Sequence, residues 1–478
     1  MTSLPLYRDA LDWNAFAIKY PAPDIFEQTV YQWSPEQIRA NQNTRFLEAL
    51  SIAWNNGFYR QLWGKAGIRA GDIRSLDDIL KLPTFTSDDI KADQEAHPPY
   101  GLIHGDVKHT ATVSPLKLQS SGGTTGKPRL TLNGPLEWEL NALTRARAYY
   151  VCGARPGDVA QITFTNSLAN AAWCNYKACH DYLGIIPLTT GSGTVTSSRR
   201  QLEIAFDCGT NIWASRPEYL TRLEQVCRDE LKRDIRELRT KFITSGLGPD
   251  LNGSLRRRIE EAWGCPVYDR YGTNEMGVGA FECTYQEGMH VMEDVNYFEI
   301  LDVESGKPVP DGAPGNLVAT LLYRQVMPLI RYNIRDLVRI KSTAQCACGS
   351  HFRRLDHLLG RSDTMVKLRG VNVYPQACQP AVVSDSRATG QWLCIVDRSK
   401  DQLRDEMLVK VEVKRDAPDT AGLKEHIEQR LHADLGVRIA VELVADGALD
   451  DYWRDSKPKL LIDRRFEDQA IDDKTSGK

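Results

Sequence analysis

Nine consecutive residues, Ser120-Ser121-Gly122-Gly123-Thr124-Thr125-Gly126-Lys127-Pro128, combine three glycines, four hydroxyls and one ammonium group. The glycines let the backbone turn its N–H groups inward, and the hydroxyls and Lys127 add donors and charge, a combination suited to a polyphosphate. The spacing is not that of a Walker loop, which needs four residues between its glycines and a Ser or Thr after the Lys, where Pro128 stands. A magnesium ion would therefore be held elsewhere. A second stretch, Tyr268 to Gly277, is aromatic and polar and is punctuated by Gly272 and Gly277, so it can set a ring against a base and a carboxylate near a metal. A third constellation is Cys283, His290, Cys346 and Cys348, whose three thiols and one imidazole make a tetrahedral zinc set, with Cys346-x-Cys348 before Gly349 on one tight turn. Its spacing is not that of a zinc finger, and buried unpaired thiols are the alternative reading. Four protein ligands would make such a zinc structural.

Elements of ordinary α/β type must position these groups. Apolar residues fall three and four apart in Ser34 to Asn55, predicting a helix that stops before Asn56-Gly57. A second helical stretch, Leu76 to Ile90, is interrupted at Leu82-Pro83. Strands are predicted at Asp158 to Phe164, Tyr297 to Val303 and Asn316 to Leu322. Beyond Gly360-Arg361 a smaller α+β pattern follows, with a strand at Leu408 to Val413, a helix at Leu423 to Leu435 and a strand at Val437 to Val444. The fold class expected is α/β, with a large multi-sheet N-terminal domain over residues 1–360 and a small mobile α+β domain over 361–478. A chain of 478 residues with 42% hydrophobic content exceeds what one core serves. Its net charge of −3 gives no field favouring nucleic acid or an anionic membrane. No run approaches the roughly 18 apolar residues of a membrane span. Eleven irregularly spaced cysteines without a secretory pattern predict reduced thiols and a cytoplasmic setting, with Cys152, Cys208 and Cys394 in the core.

The Ser120 to Pro128 loop resembles the phosphate loop of the adenylate-forming superfamily, in its phenylacetate-CoA ligase-like branch. Phe58-Tyr59-Arg60, Gly67-Ile68 and Leu76 to Pro83 resemble the lead-in of that branch, and the resemblance runs from about Asn56 to Arg465. Tyr271-Gly272-Thr273-Asn274-Glu275 resembles the Tyr-Gly-x-Thr-Glu motif. This implies adenine stacking by Tyr271, magnesium binding by Glu275 and a phosphate contact by Asn274, which replaces the usual Thr. Pro328 to Leu337 resembles the ribose motif, which implies that Asp336 accepts from both hydroxyls of the vicinal diol with its two oxygens. Ile334-Arg335 replaces the usual Thr-Gly there, which is expected to leave the backbone less free. Gly360 to Pro375 resembles the hinge between the two domains, with Asp363 as hinge and Arg361 approaching ribose or phosphate. Ser456-Lys457-Pro458-Lys459 resembles the catalytic-lysine motif, which implies Lys457 as the cation between carboxylate and α-phosphate. Gly246-Leu247-Gly248-Pro249 stands where the branch has Gly-Ala-Glu-Pro, so an adenine contact would fall to backbone or to Asp269.

The resemblance implies ATP and magnesium as cofactors and a carboxylic acid as substrate, with a structural zinc held in some relatives of the branch. Asn166, Asn170, Trp173, Gly191, Ser192 and Gly246 are the expected acyl-binding positions. The acceptor is open between coenzyme A and an amino acid amine. A stretch from Arg8 to Trp33 and the altered pocket motifs resemble ligases of the coronafacate type and favour the amine. For coenzyme A, Arg353, Arg354 and Arg369 are the basic residues expected near its 3′-phosphate.

Overall fold

A computed structural model describes residues 4–120, 129–250, 253–369, 371–398, 405–417, 419–453 and 460–465. The chain divides into two compact units, Met1–Gly246 with Ile259–Asp356, and Leu247–Arg258 with His357–Lys478. The division after Asp356 lies a few residues before Gly360. The excursion Leu247–Arg258 was not separable by composition, since its apolar and charged residues alternate like those on either side.

The first unit is organised by nine strands: β3 (Val159–Ile162), β4 (Ile186–Thr189), β5 (Ile212–Ala214), β6 (Phe242–Ser245), β7 (Val267–Tyr271), β8 (Ala280–Glu282), β9 (Met289–Val291), β13 (Ile340–Ser342) and β14 (Arg354–Leu355). Their spatial order is β13-β14-β9-β8-β7-β6-β5-β3-β4. Strands β4, β3, β5, β6 and β7 run parallel, and β8, β9, β14 and β13 continue the sheet antiparallel. Parallel strands need crossovers, here supplied by helices Asn170–Lys177, Ser198–Cys208 and Pro217–Asp229. Both faces are therefore covered, and β5 and β6 are buried at every position. From β3 the chain passes first to β4 on one side and then to β5 on the other. The carboxyl ends of β3 and β5 thus flank a topological switch point, where open α/β sheets leave a crevice for ligands. Helix Pro135–Val151 packs Ala146 and Tyr149 against Ile162, Ala214, Phe242 and Tyr268 on one face of this sheet.

Two further sheets complete the first unit. Strands β1 (Lys117–Ser120) and β2 (Leu130–Asn133) form a ribbon that brackets the glycine-rich loop, and β10 (Asn296–Leu301), β11 (Gly315–Leu321) and β12 (Leu329–Val338) pair antiparallel. Helix Pro35–Trp54 has a capping box of Ser34 and Gln37, with Pro35 in its first turn, and matches the expected span. Leu76–Lys81 is a 3-10 helix rather than α, because Pro83 drives Leu82 to an extended conformation (ψ 136°) before an α-helix resumes at Ser87–Ala96. The stretch Arg8 to Trp33 is integral to this unit. Tyr7 and Tyr182 both donate to the buried Glu139, which Lys177 approaches at 2.9 Å, and Arg147 donates to Pro21 O and to Asp294 at 2.8 Å each.

In the second unit Ala388–Arg398 pairs antiparallel with Asp405–Val413 and parallel with Leu461–Asp463, while Ala440–Val444 lies parallel beside Asp405–Val413. Helix Leu423–Leu435 covers the sheet through Leu423, Ile427 and Leu431, and ends at Gly436 in the left-handed region (φ 71°). The helix agrees with the expected one, whereas the last strand opens at Ala440 and not at Val437. Cys152 and Cys394 are buried, but Cys208 is exposed, contrary to expectation, because it is the last residue of its helix, beyond the buried Leu202 and Ala205.

Candidate active site

Three segments distant in sequence meet beside the ends of the parallel strands. Tyr271 closes β7, and its hydroxyl donates to Asp336 Oδ2 at 2.7 Å, so the ring expected to stack on a base and the carboxylate expected to hold a ribose share one hydrogen bond. Gly272 follows, where a side chain would collide with the Gly277 carbonyl oxygen, so the turn tolerates only glycine. Asp336 sits in β12 where the register with β11 shifts. Arg335 takes φ 65°, the conformation in which the family pattern has glycine. Its backbone N–H donates to Asn333 Oδ1 at 2.9 Å and its guanidinium pairs with Asp88 at 2.6 Å, so side-chain contacts hold a backbone that was expected to be less free.

Glu275 is buried, and Arg129 forms an ion pair with it. Burial opposes ionisation, but Arg129, the Thr273 side chain and the Glu275 backbone together outweigh it and hold the carboxyl below its usual range. Arg324, fully buried, donates to Glu275 O at 2.6 Å, to Asn133 Oδ1 at 3.0 Å and to Leu132 O at 2.9 Å, tying the Glu275 loop to β2. Neither arginine belongs to a readable motif. Arg129 follows Lys127-Pro128 directly, which is its only sequence signal, and Arg324 has none. Asn274 Nδ2 is enclosed without an acceptor among the described residues, a donor that suits a phosphate oxygen. An ionised Glu275 beside that donor fits a magnesium ion with its nucleotide.

Ser120 ends β1 and donates from its backbone to Leu168 O at 3.1 Å. The rest of the loop, Ser121, Gly122, Gly123, Thr124, Thr125, Gly126 and Lys127, lies outside the described residues, as do Gly370, Ser456, Lys457 and Lys459. In the second unit Arg361 donates to both oxygens of Asp363, at 2.9 and 2.7 Å, which fixes the expected hinge carboxylate against the expected ribose contact. Gly360 has φ 148° and a side chain there would strike the Tyr374 ring.

The acyl-binding expectations divide. Gly246 lies at the carboxyl end of β6, where a side chain would meet only the Arg270 carbonyl oxygen at 3.5 Å, whereas Gly191 (φ 70°), beyond β4, is buried against Val195. Asn170 is buried and its amide is used internally. It accepts from Gln119 at 2.6 Å, and its backbone donates to Asn274 Oδ1 at 2.8 Å. Trp173 donates to Ser167 O at 2.8 Å, with Lys117 Nζ 4.8 Å from its ring centre. Ser192 bonds Thr165 and Thr194 at the surface, and Asn166 is exposed.

The Cys283, His290, Cys346 and Cys348 ligand atoms lie within 4.8 Å of one another. Cys283 and Cys346 sulfurs are 3.8 Å apart and Cys348 Sγ is 3.6 Å from His290 Nε2. A tetrahedral zinc with Zn–S of about 2.3 Å separates its sulfurs by about 3.8 Å, so the donor set fits the ion. Tyr31, from the N-terminal stretch, packs on the His290 ring at 5.3 Å and places its hydroxyl 3.5 Å from Cys348 Sγ.

The parallel strand ends, the Tyr271–Asp336 pair and the small α+β unit define an adenylate-forming enzyme. Residues 370–465 match the AMP-binding enzyme C-terminal domain family. The phenylacetate-coenzyme A ligase of Pseudomonas putida is 32% identical over 361 residues, covering 73% of this chain and 76% of the relative. That of Aromatoleum evansii is 29% identical over 460 residues, covering 94% and 99%. A crystal structure of 2-hydroxyisobutyryl-CoA ligase in complex with 2-HIB-AMP superposes with a TM-score of 0.78 at 26% identity, covering 93% of each chain. The chain belongs to the phenylacetate-coenzyme A ligase family of adenylate-forming ligases.

Proposed function

We propose that the enzyme adenylates a carboxylic acid and passes the acyl group to the thiol of coenzyme A. In the first step a carboxylate oxygen attacks the α-phosphorus of ATP and pyrophosphate leaves; in the second a thiolate attacks the acyl carbonyl and AMP leaves. The observation that carries the first step is the Tyr271–Asp336 hydrogen bond, which brings base and ribose positions together. Glu275 holds magnesium, Lys127 and its loop hold the phosphates, and Lys457 neutralises the charge gathering at phosphorus. Relatives named as CoA ligases support the thioester over the amide, for which no contact in the structure speaks. Two of the arginines expected to meet the coenzyme 3′-phosphate are paired within the fold, Arg353 with Glu293 at 2.7 Å and Arg354 with Glu287 at 3.0 Å. Arg369, exposed, is the one of the three left for that phosphate. Among the described residues no helix is long and apolar enough to cross a membrane. Pyrophosphate exchange across a panel of carboxylic acids, followed by mass analysis with coenzyme A or amino acids, is expected to give a thioester. An amide formed without coenzyme A would overturn the acceptor.

We also infer a structural zinc at Cys283, His290, Cys346 and Cys348. Purified protein is then expected to carry about one equivalent of zinc, and Cys346→Ser to lower Tm while turnover per folded molecule holds. Elemental analysis finding none after expression with ample zinc would remove it.

A further inference from the structure

Buried guanidinium groups in this chain are generally matched. Arg147 pairs with Asp294, Arg331 with Glu299 at 2.9 Å, and Arg324 is spread over carbonyls and an amide. Single nitrogens of Arg45, Arg129 and Arg354 are enclosed without an acceptor too, but each of these side chains is bonded through another nitrogen. One group of arginines differs. Arg145, on helix Pro135–Val151 and 4% exposed, has Nε and Nη1 enclosed without an acceptor. Arg270, on β7, has its Nε enclosed without an acceptor. Arg216 follows β5 at the start of helix Pro217–Asp229 and lies within electrostatic range of Arg270. Among the described residues, none of the three forms an ion pair with a carboxylate. Asp269 acts on Arg270 electrostatically, and its Oδ1 accepts the Arg270 backbone N–H at 2.8 Å.

Burying unpaired like charges is costly, so such a group persists where something else supplies the counter-charge. Burial and the neighbouring Arg145 bring the Arg270 pKa down to about 9, which reports the same crowding of positive charge. The place is also informative. Successive strand residues face opposite sides, so Arg270 turns away from the Tyr271–Asp336 pair, and its guanidinium lies 5.6 Å from the Phe164 ring centre just beyond β3. Phe164 and Arg216 stand at the carboxyl ends of β3 and β5, on either side of the switch point, and Gly246 leaves the end of β6 without a side chain beside Arg270. Cys174, on helix Asn170–Lys177, is within range of both Arg145 and Lys117, whose Nζ is enclosed without a hydrogen-bond partner.

We propose that the acid activated by this enzyme carries a second anionic group, in its simplest form a second carboxylate, held by Arg145, Arg270 and Arg216 at the switch point of the parallel sheet. The inference rests on the ligase reading for which end of the acid reacts: one carboxylate attacks the α-phosphorus and pyrophosphate leaves, while the other stays ionised against the arginines.

The test uses the full-length protein with ATP and magnesium, and acids paired by carbon skeleton: butanoate with succinate, hexanoate with adipate, benzoate with phthalate and isophthalate. At least one diacid is expected to support pyrophosphate exchange with kcat/KM about a hundredfold or more above its monoacid, the scale of a matched buried charge contact. Arg270→Ile is expected to raise KM for that diacid about tenfold or more with KM for ATP nearly unchanged, to narrow or reverse the preference, and to raise the Tm of the unliganded protein as a buried charge is removed. Arg145→Met provides the same readout at a second position. Monoacids used as well as or better than every diacid by the wild type would overturn the inference and leave the ligase reading intact. Absence of exchange with either series, with Tm still raised by a diacid and not by its monoacid, would keep the anion site and remove the ligase reading. Absence of both effects would overturn the inference.

Discussion

Replacing Lys457 with alanine is expected to slow acyl-adenylate formation by about two to three powers of ten while ATP binding changes only a few-fold. Adenylation forces an anionic carboxylate onto an anionic phosphate, and the pentavalent phosphorus then gathers further charge. A lysine with an ordinary pKa of about 10.4 is protonated at neutral pH and meets that charge as it develops. On the proposed reading the glycine-rich loop, Asp336 and magnesium would already hold ATP in the ground state, so losing one late contact is expected to lower kcat with little effect on nucleotide affinity. Thioester formation from supplied acyl-adenylate asks nothing of an α-phosphate clamp, and the variant is expected to retain it. Lys459 is the control, since Lys459→Ala should leave adenylation near the wild-type rate. Full adenylation activity in Lys457→Ala would remove that residue from the mechanism.

Part of the candidate site was legible because the chemistry asked of it restricts the residue type. Tyr271 and Asp336 were singled out from separate segments as a ring for a base and a carboxylate for a diol, and the fold joins them by a hydrogen bond. Long periodic segments were equally readable, as in helix Pro35–Trp54 and helix Leu423–Leu435. The misreadings have physical causes. A polar residue opening a helix reads alike as a ligand contact or as internal bracing, and Asn170 proved to be bracing between Gln119 and Asn274. Arg335 occupies a left-handed conformation that composition assigns to glycine, because Asn333 and Asp88 hold it there. Arg129 and Arg324 reach the Glu275 loop from distant segments, and no local pattern marks a lone arginine that does so. Arg270 stood inside a quoted motif, yet its meaning depends on Arg145 and Arg216, which only the fold brings near.

The amide expectation drew on Arg8 to Trp33 as an addition to the family. In the structure that stretch is bound into the large unit by Pro21 and Tyr31, and by Tyr7 just before it. It supports the helix that carries Glu139, Arg145 and Arg147 and reaches Cys348, so its contacts give it a supporting role and supply no amine site.

The second large effect is expected at Glu275. Glu275→Gln should reduce adenylation about a hundredfold or more and raise the magnesium concentration needed for half-maximal rate, because an amide oxygen is a poor replacement for a carboxylate on a hard cation. The same change removes the carboxylate of the Arg129–Glu275 ion pair, whose side chains are 11% and 2% exposed. Breaking a buried pair from one side costs about 3–5 kcal/mol, so a lower Tm is expected as well. Stability and catalysis are separated by a second substitution. In Arg129→Met with Glu275→Gln no charge is left stranded, and Tm should recover toward the wild-type value while adenylation stays low. Recovery of both in the double variant would mean that Glu275 acts only through Arg129 and holds no metal. Recovery of Tm alone, with the magnesium requirement still raised, assigns the carboxylate to the ion.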